Sequence, residues 1–182
     1  KAIDKVAYAN EKNIDFIICD HHTPGEEIPA AFAILNPKQT DCVYPYKELS
    51  GCGIGFKLCQ AYAQKFNLDK ELVFKHLDFV AISIACDIVP ITDENRILAK
   101  FGLEKLNQNP SLGVKQIIDI LNYDKNLSIS DIVFKVGPRI NAAGRVAHAK
   151  GAVSVLIAKS SSQSLQTNNE ERQELDKDTT ES

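Results

Sequence analysis

The sequence predicts an α/β fold in which part of a parallel sheet is followed by a helical subdomain. Three observations carry this. The first 35 residues run helix, strand, loop, strand. Both strand segments, Phe16–Cys19 and Ala31–Leu35, are continuous apolar runs rather than alternating ones, the pattern of parallel strands covered on both faces. Beyond Gly51 the apolar residues recur at helical spacing, interrupted by Pro, Gly and Asn.

The elements follow in order. Residues 1–12 form a helix, with Ala2, Ile3, Val6, Ala7 and Ala9 as its apolar stripe and Asn13 as its stop. Asp15–Cys19 is a short strand. Asp20-His21-His22-Thr23-Pro24-Gly25 is a loop, because Pro-Gly follows at once. Ala31–Leu35 is the second strand, closed by Asn36-Pro37. After a Gly51-Cys52-Gly53 turn come helices over 54–66, 70–85, 95–107 with Thr92 as N-cap, and 114–121. A short helix over 130–135 leads into a loop over 136–144, and residues 147–158 are helical again. The tail, 160–182, holds only Leu165 and Leu175 as large apolar residues. Such a segment is either disordered or an exposed connecting helix.

Composition excludes several classes. At 182 residues the chain is one domain or slightly more. With 44% hydrophobic and 25% charged residues it is neither fibrous nor low-complexity. No apolar run approaches the ~18 residues of a membrane span. The start mixes Lys and Asp with apolar residues, unlike a secretory signal, and points to a cytoplasmic protein. Five cysteines without CxxC spacing fit reduced thiols serving as small core residues. The net charge of −3 conceals a segregation. Residues 1–131 hold 14 basic and 18 acidic side chains, and residues 170–182 hold 2 and 6. Residues 132–169 have no acid and five cations, Lys135, Arg139, Arg145, Lys150 and Lys159. Such a segment can attract phosphates whatever the total charge.

Four segments are candidates for chemistry. Asp20-His21-His22 stands directly after a strand, where open parallel sheets bind ligands, and imidazole with carboxylate suits Mn, Zn or Fe. Its structural alternative is a polar loop whose histidines only hydrogen-bond. Asp87 ends the apolar run Ala85-Cys86 before Ile88-Val89-Pro90, so it is either a metal ligand or a turn cap, since an unpartnered buried carboxylate is costly. Ser50-Gly51-Cys52-Gly53-Ile54-Gly55 could hold a phosphate at a helix N-terminus, but close packing explains it as well. Gly137-Pro138-Arg139-Ile140-Asn141-Ala142-Ala143-Gly144-Arg145 places two arginines among small residues with no acid nearby, which suits phosphate contact; the alternative is a pair of surface salt bridges.

Taken together these motifs resemble the DHH phosphoesterases, and the series from Ser50 to Leu58, through Asp87-Ile88-Val89-Pro90, to Gly137–Arg145 resembles their bacterial RecJ branch. The resemblance covers roughly residues 1–175. It implies the second half of a DHH-type parallel sheet, a helical subdomain, and the start of a connecting helix: a partial DHH domain over 1–159 and a linker over 160–182. It also implies Mn²⁺- or Mg²⁺-dependent 5′→3′ hydrolysis of single-stranded DNA in repair and recombination, with a helicase and a single-strand-binding protein as partners. In that scheme His21 and Asp87 are metal ligands. Asp20 orients the imidazoles, and His22 ligates metal or touches the scissile phosphate. Arg139, Asn141 and Arg145 meet the DNA backbone. The family's earlier motif, with a His and two aspartates, and a further aspartate after the next strand are not in this sequence. The two-metal site is therefore incomplete here, and the expectation is an internal segment that binds metal weakly and does not cleave by itself. Two other functions share the motif: a DHH phosphodiesterase or pyrophosphatase acting on a small phosphate substrate, and a non-catalytic nucleic-acid-binding scaffold.

Overall fold

The computed structural model describes residues 3–146, 153–154 and 156–157; of residues 142–146 it describes the backbone alone. The chain order is α1 (Ile3–Glu11), β1 (Ile17–Cys19), β2 (Ala33–Leu35), α2 (Gly51–Lys65), α3 (Glu71–Phe74), α4 (Leu77–Cys86), α5 (Asp93–Gln108), α6 (Leu112–Ile120), α7 (Ile129–Asp131), a π-helical turn (Ile132–Val136) and α8 (Gly137–Val146).

Strands β1 and β2 pair in parallel, Ile17 opposite Ala33 and Cys19 opposite Leu35. A parallel pair needs a crossover of about a dozen residues, and residues 20–32 supply it. The ladder continues at both ends: the Phe32 amide donates to Phe16 O, and the Asp20 amide donates to Leu35 O at 3.1 Å. That last bond pins the residue where the functional loop begins. Helix α2 packs on β1. The Asn10 side chain ties α1 to the chain entering β2 through Ala30 O. The parallel pairing agrees with the sequence reading, but the cover on both faces does not. No residue of either strand is fully buried, and Ile17 and Phe32 are 50% and 70% exposed. Among the described residues the sheet has two strands, too few neighbours to close over them.

Helix α4 organises the rest. It is apolar nearly all round, so it sits inside. Val80 and Ile84 face one cluster with Phe56, Ala63, Val73 and Ala99. Ile82 and Ala85 face another with Leu106, Val114, Leu127, Ile132 and Val136. A buried acid, Asp78, joins α4 to α6: it accepts from the Ser111 amide at 2.6 Å and from the Phe79 amide at 3.1 Å. Asn95, equally buried, ties α5 to two loops by donating to Glu48 O and Pro90 O. Sequence periodicity marked neither residue.

Four expectations need correcting. The Gly51-Cys52-Gly53 turn is the first turn of α2, because Ser50 caps it by accepting from the Gly53 amide. The single helix over 70–85 is two, because His76, at φ −107° and ψ 10°, leaves the helical region between them. The loop over 136–144 is helical. Pro138 lies inside a helical run that continues directly from the π-helical turn, an irregular winding placed where a proline has no N–H to give, and Gly137 serves packing: a Cβ there would stand 2.8 Å from Cys86 Sγ. The cysteines are all free as expected, but none is a core residue, and Cys52, Cys59 and Cys86 are exposed. Cys52 and Cys59 stand on the same i, i+4, i+7, i+11 stripe of α2 as the buried Phe56 and Ala63, at its open margin. Thr92 precedes α5 at the expected N-cap position, though its side chain makes no capping bond. The helix expected over 147–158 and the tail over 160–182 fall largely or wholly outside the described residues.

Candidate active site

The loop after β1 and the end of α4 meet. Asp20 is fixed by its ladder bond, and its Oδ1 accepts from three donors: the His21 amide at 2.8 Å, the His22 amide at 3.2 Å and His22 Nδ1 at 2.7 Å. Burial pushes the Asp20 carboxyl up, but the bonds from the His22 ring and from the two amides outweigh it and hold it below the ordinary carboxylate value. Asp20 is thus an anion that can only accept, so the proton of a neutral His22 sits on Nδ1 and its Nε2 lone pair is free to face a ligand. Buried Asn36 completes the loop. Its Nδ2 donates to His22 O at 2.8 Å while its Oδ1 accepts from the Lys38 amide.

His21 turns the other way, toward α2 and α4. A Cβ on Gly51 would stand 3.5 Å from its ring, and its Nε2 lies 3.8 Å from Asp87 Oδ2. That gap is too long for a hydrogen bond. It lies within the roughly 3–4 Å that can separate two ligands of one ion, each about 2.1 Å from it. The His21 and His22 rings are 4.5 Å apart, centroid to centroid. A cleft of about 500 Å³ opens beside Asp20 and His22.

Asp87 is the C-cap of α4, and the chain turns sharply behind it. Ile88 has φ 53°, a left-handed conformation that is a true outlier for a β-branched residue. Its side chain is exposed, so no packing gain offsets the strain. Ile88→Gly is expected to stabilise the protein by about 1 kcal/mol, checked by urea denaturation; a loss of stability would contradict the strain.

One side chain absent from the sequence reading of this site, Ser83, joins here together with the Cys52 amide. Ser83 donates to Asp87 Oδ2 at 3.1 Å and accepts from the Cys52 amide at 3.4 Å. The glycine series Gly51–Gly53 therefore borders the site through backbone rather than as a separate phosphate loop. The Cys52 thiol is pushed up to about 11, by desolvation first and then by the carboxylates of Asp87 and Asp78 and by Cys59, although the residue as a whole retains solvent exposure. It is a neutral neighbour rather than a nucleophile.

The basic segment is adjacent through α8, whose Gly137 contacts Cys86, the residue before Asp87. Arg139 is exposed and donates from Nη1 to Lys135 O at 2.9 Å. Asn141 is also exposed and lies about 200° further round the helix, so the two do not share one face. Arg145 is placed in the helix by its backbone, but its side chain lies outside the described residues.

The donor chemistry fits a divalent ion at His21 Nε2 and Asp87 Oδ2. Among the described residues no group of three or more His, Cys, Asp or Glu converges, so these two could supply only part of a coordination shell.

The same segments recur in known proteins. The model of the DHH family, N-terminal domain, matches residues 1–84. The single-stranded-DNA-specific exonuclease RecJ of Bacillus subtilis (strain 168) is 42% identical over 161 residues, which cover 88% of this chain and 20% of that protein. These matches support a RecJ-type chain of the DHH superfamily. RecJ of Escherichia coli (strain K12) is 35% identical over 163 residues, 84% of this chain and 28% of that one. The RecJ-type chain thus spans between a fifth and a third of the length of these curated relatives. Two solved structures share the fold: RecJ of Thermus thermophilus in complex with Mn²⁺, with TM-score 0.75, 23% identity, 97% of this chain and 26% of that one, and exonuclease RecJ bound to manganese, with TM-score 0.76, 24% identity, 98% and 44%. The segment with the DHH triad, the Asp87 turn and α8 is therefore folded as in RecJ. No helix among the described residues is long and apolar enough to cross a membrane.

Proposed function

We propose that this chain is a segment of a metal-dependent exonuclease that hydrolyses phosphodiester bonds of single-stranded DNA, 5′→3′, in cytoplasmic DNA repair and recombination. The observation that carries this is the 3.8 Å approach of His21 Nε2 to Asp87 Oδ2, from a strand end and a helix end 66 residues apart in sequence. The curated relatives are single-stranded-DNA-specific exonucleases by name, and the solved RecJ structures hold Mn²⁺ or Mg²⁺, which supports the same ion here.

Residues 1–159 are the DHH-domain part, and 160–182 lie outside the described residues. His21 and Asp87 hold a Mn²⁺ or Mg²⁺ ion. When bound, such an ion polarises the phosphoryl oxygen and lowers the pKa of a bound water. Asp20 keeps the His22 proton on Nδ1, so that Nε2 is presented to the metal or the scissile phosphate as an acceptor. Arg139 and Asn141, exposed on different faces of α8, and Arg145 of the same acid-free segment are the candidates for salt-screened contact with the DNA backbone. A helicase and a single-strand-binding protein fit as partners of such an enzyme. Because His21 and Asp87 are only part of a shell, the isolated chain binds metal weakly and does not cleave.

The test is hydrolysis by the complete protein carrying this sequence, with Mn²⁺, of 5′-phosphorylated single-stranded DNA, inorganic pyrophosphate and a dinucleotide. Loss of the DNA is expected. Preference for pyrophosphate or the dinucleotide would replace this reading by the small-phosphate one, and binding of DNA without hydrolysis of any substrate would replace it by the scaffold.

A further inference from the structure

We propose that Ser83 is a positioning residue that sets the Asp87 carboxylate for the ion shared with His21. This rests on the metal-dependent phosphoesterase reading above and deepens it.

A hydroxyl has one proton to give. In a helix a serine commonly spends it on the carbonyl four residues back. Ser83 instead bonds forward, to Asp87 four residues on, on the same face of α4. What directs it is the Cys52 amide. Cys52 is in the first turn of α2, whose leading N–H groups have no intrahelical acceptor. Ser50 Oγ satisfies the Gly53 amide, and Ser83 Oγ accepts from the Cys52 amide. With a donor on one side, the Ser83 proton is aimed at Asp87 Oδ2. That is the oxygen that faces His21. One lone pair of Oδ2 is taken by the hydroxyl, and the other is left toward His21 Nε2.

The carboxylate needs such a hold. Asp87 is at a helix end, its side chain is 35% exposed, and the strained Ile88 follows it. Without the hydroxyl its χ1 and χ2 rotors are restrained only by the ion itself. Groups that orient metal ligands in this way are typically worth about 10–100-fold in affinity or activity. The hydroxyl also links three parts of the site: the head of α2, the tail of α4, and through Asp87 the loop carrying His21.

The experiment uses the complete protein carrying this sequence. Mn²⁺ affinity is followed by electron paramagnetic resonance in wild type, Ser83→Ala, Ser83→Cys, Ser83→Thr and Asp87→Asn, with thermal melts on each. Ser83→Ala is expected to weaken Mn²⁺ binding about tenfold, Ser83→Thr to restore it because the hydroxyl returns, and Asp87→Asn to weaken it more than Ser83→Ala does. Ser83→Cys keeps the volume with a poor donor, and stands in for Ser83→Ala should alanine prevent folding. If Ser83→Ala and Ser83→Cys lower the melting temperature alone and keep wild-type Mn²⁺ affinity, while Asp87→Asn loses it, Ser83 is a structural cap and the proposal is overturned with the metal site intact. If Asp87→Asn also binds Mn²⁺ as wild type, the metal reading itself fails and takes the proposal with it.

Discussion

Asp87→Asn in the complete protein is expected to reduce hydrolysis of single-stranded DNA by more than about a hundredfold, since loss of even the partners of metal ligands costs about 10–100-fold. The substitution is close to isosteric. The amide oxygen still accepts from Ser83, and Asp87 is a partly exposed C-cap rather than a core residue. The fold is therefore retained, and what is lost is one negative charge and one anionic donor 3.8 Å from His21 Nε2. A neutral amide is a far poorer ligand for a hard divalent cation than a carboxylate. Steady-state hydrolysis over a range of Mn²⁺ concentrations checks this. The loss is expected to be partly recovered at high Mn²⁺, because affinity is what fell. Wild-type rates at low Mn²⁺ would remove Asp87 from the site.

Gly102→Ala is expected to destabilise the protein by about 2 kcal/mol, the overpacking cost of up to about 3 kcal/mol less the gain of about 1 kcal/mol that alanine brings to a helix interior. Helix α5 crosses α4 at this glycine. An added Cβ would collide with the carbonyl oxygen of Leu77 and stand 2.7 Å from the Cβ of Ala81. Neither obstacle has a rotamer to change, so the helices must separate, and both core clusters depend on α4. Gly55→Ala is the matched control. It lies in α2 with nothing within 4 Å of an added Cβ, so it is expected to stabilise by about 0.5–1 kcal/mol. Urea denaturation of both variants checks the pair. Equal shifts of the same sign would contradict the crossing.

These two residues mark the limits of what could be read before the structure. Asp87 stood out because an acid closing an apolar run needs a partner if it is buried; the structure leaves it partly exposed, as the C-cap of α4. The triad Asp20-His21-His22 was legible because it follows a strand. Gly102 was not, since a glycine inside a periodic helix carries no mark of the helix it crosses. The segment Gly137–Arg145 misled for a related reason. Gly-Pro reads as a loop, but here the helix runs through it behind a π-helical turn, and the glycine answers Cys86, 51 residues away. Ser83 resembled filler in an apolar helix, because its other partner, the Cys52 amide, is 31 residues away. The strands were read correctly as parallel and wrongly as covered, since an apolar run reports what a strand can bury and not what lies against Ile17 or Phe32 here. Local pattern located the elements and the charged site residues; long-range packing supplied the glycines, the buried Asp78 and the hydroxyl.

The central claim is that His21 and Asp87 hold the same divalent ion. Anomalous diffraction at the manganese edge, on crystals of the complete protein carrying this sequence grown with Mn²⁺, measures it directly. The account predicts a peak within about 2.2 Å of both His21 Nε2 and Asp87 Oδ2. Manganese bound with either side chain outside its coordination sphere would contradict it.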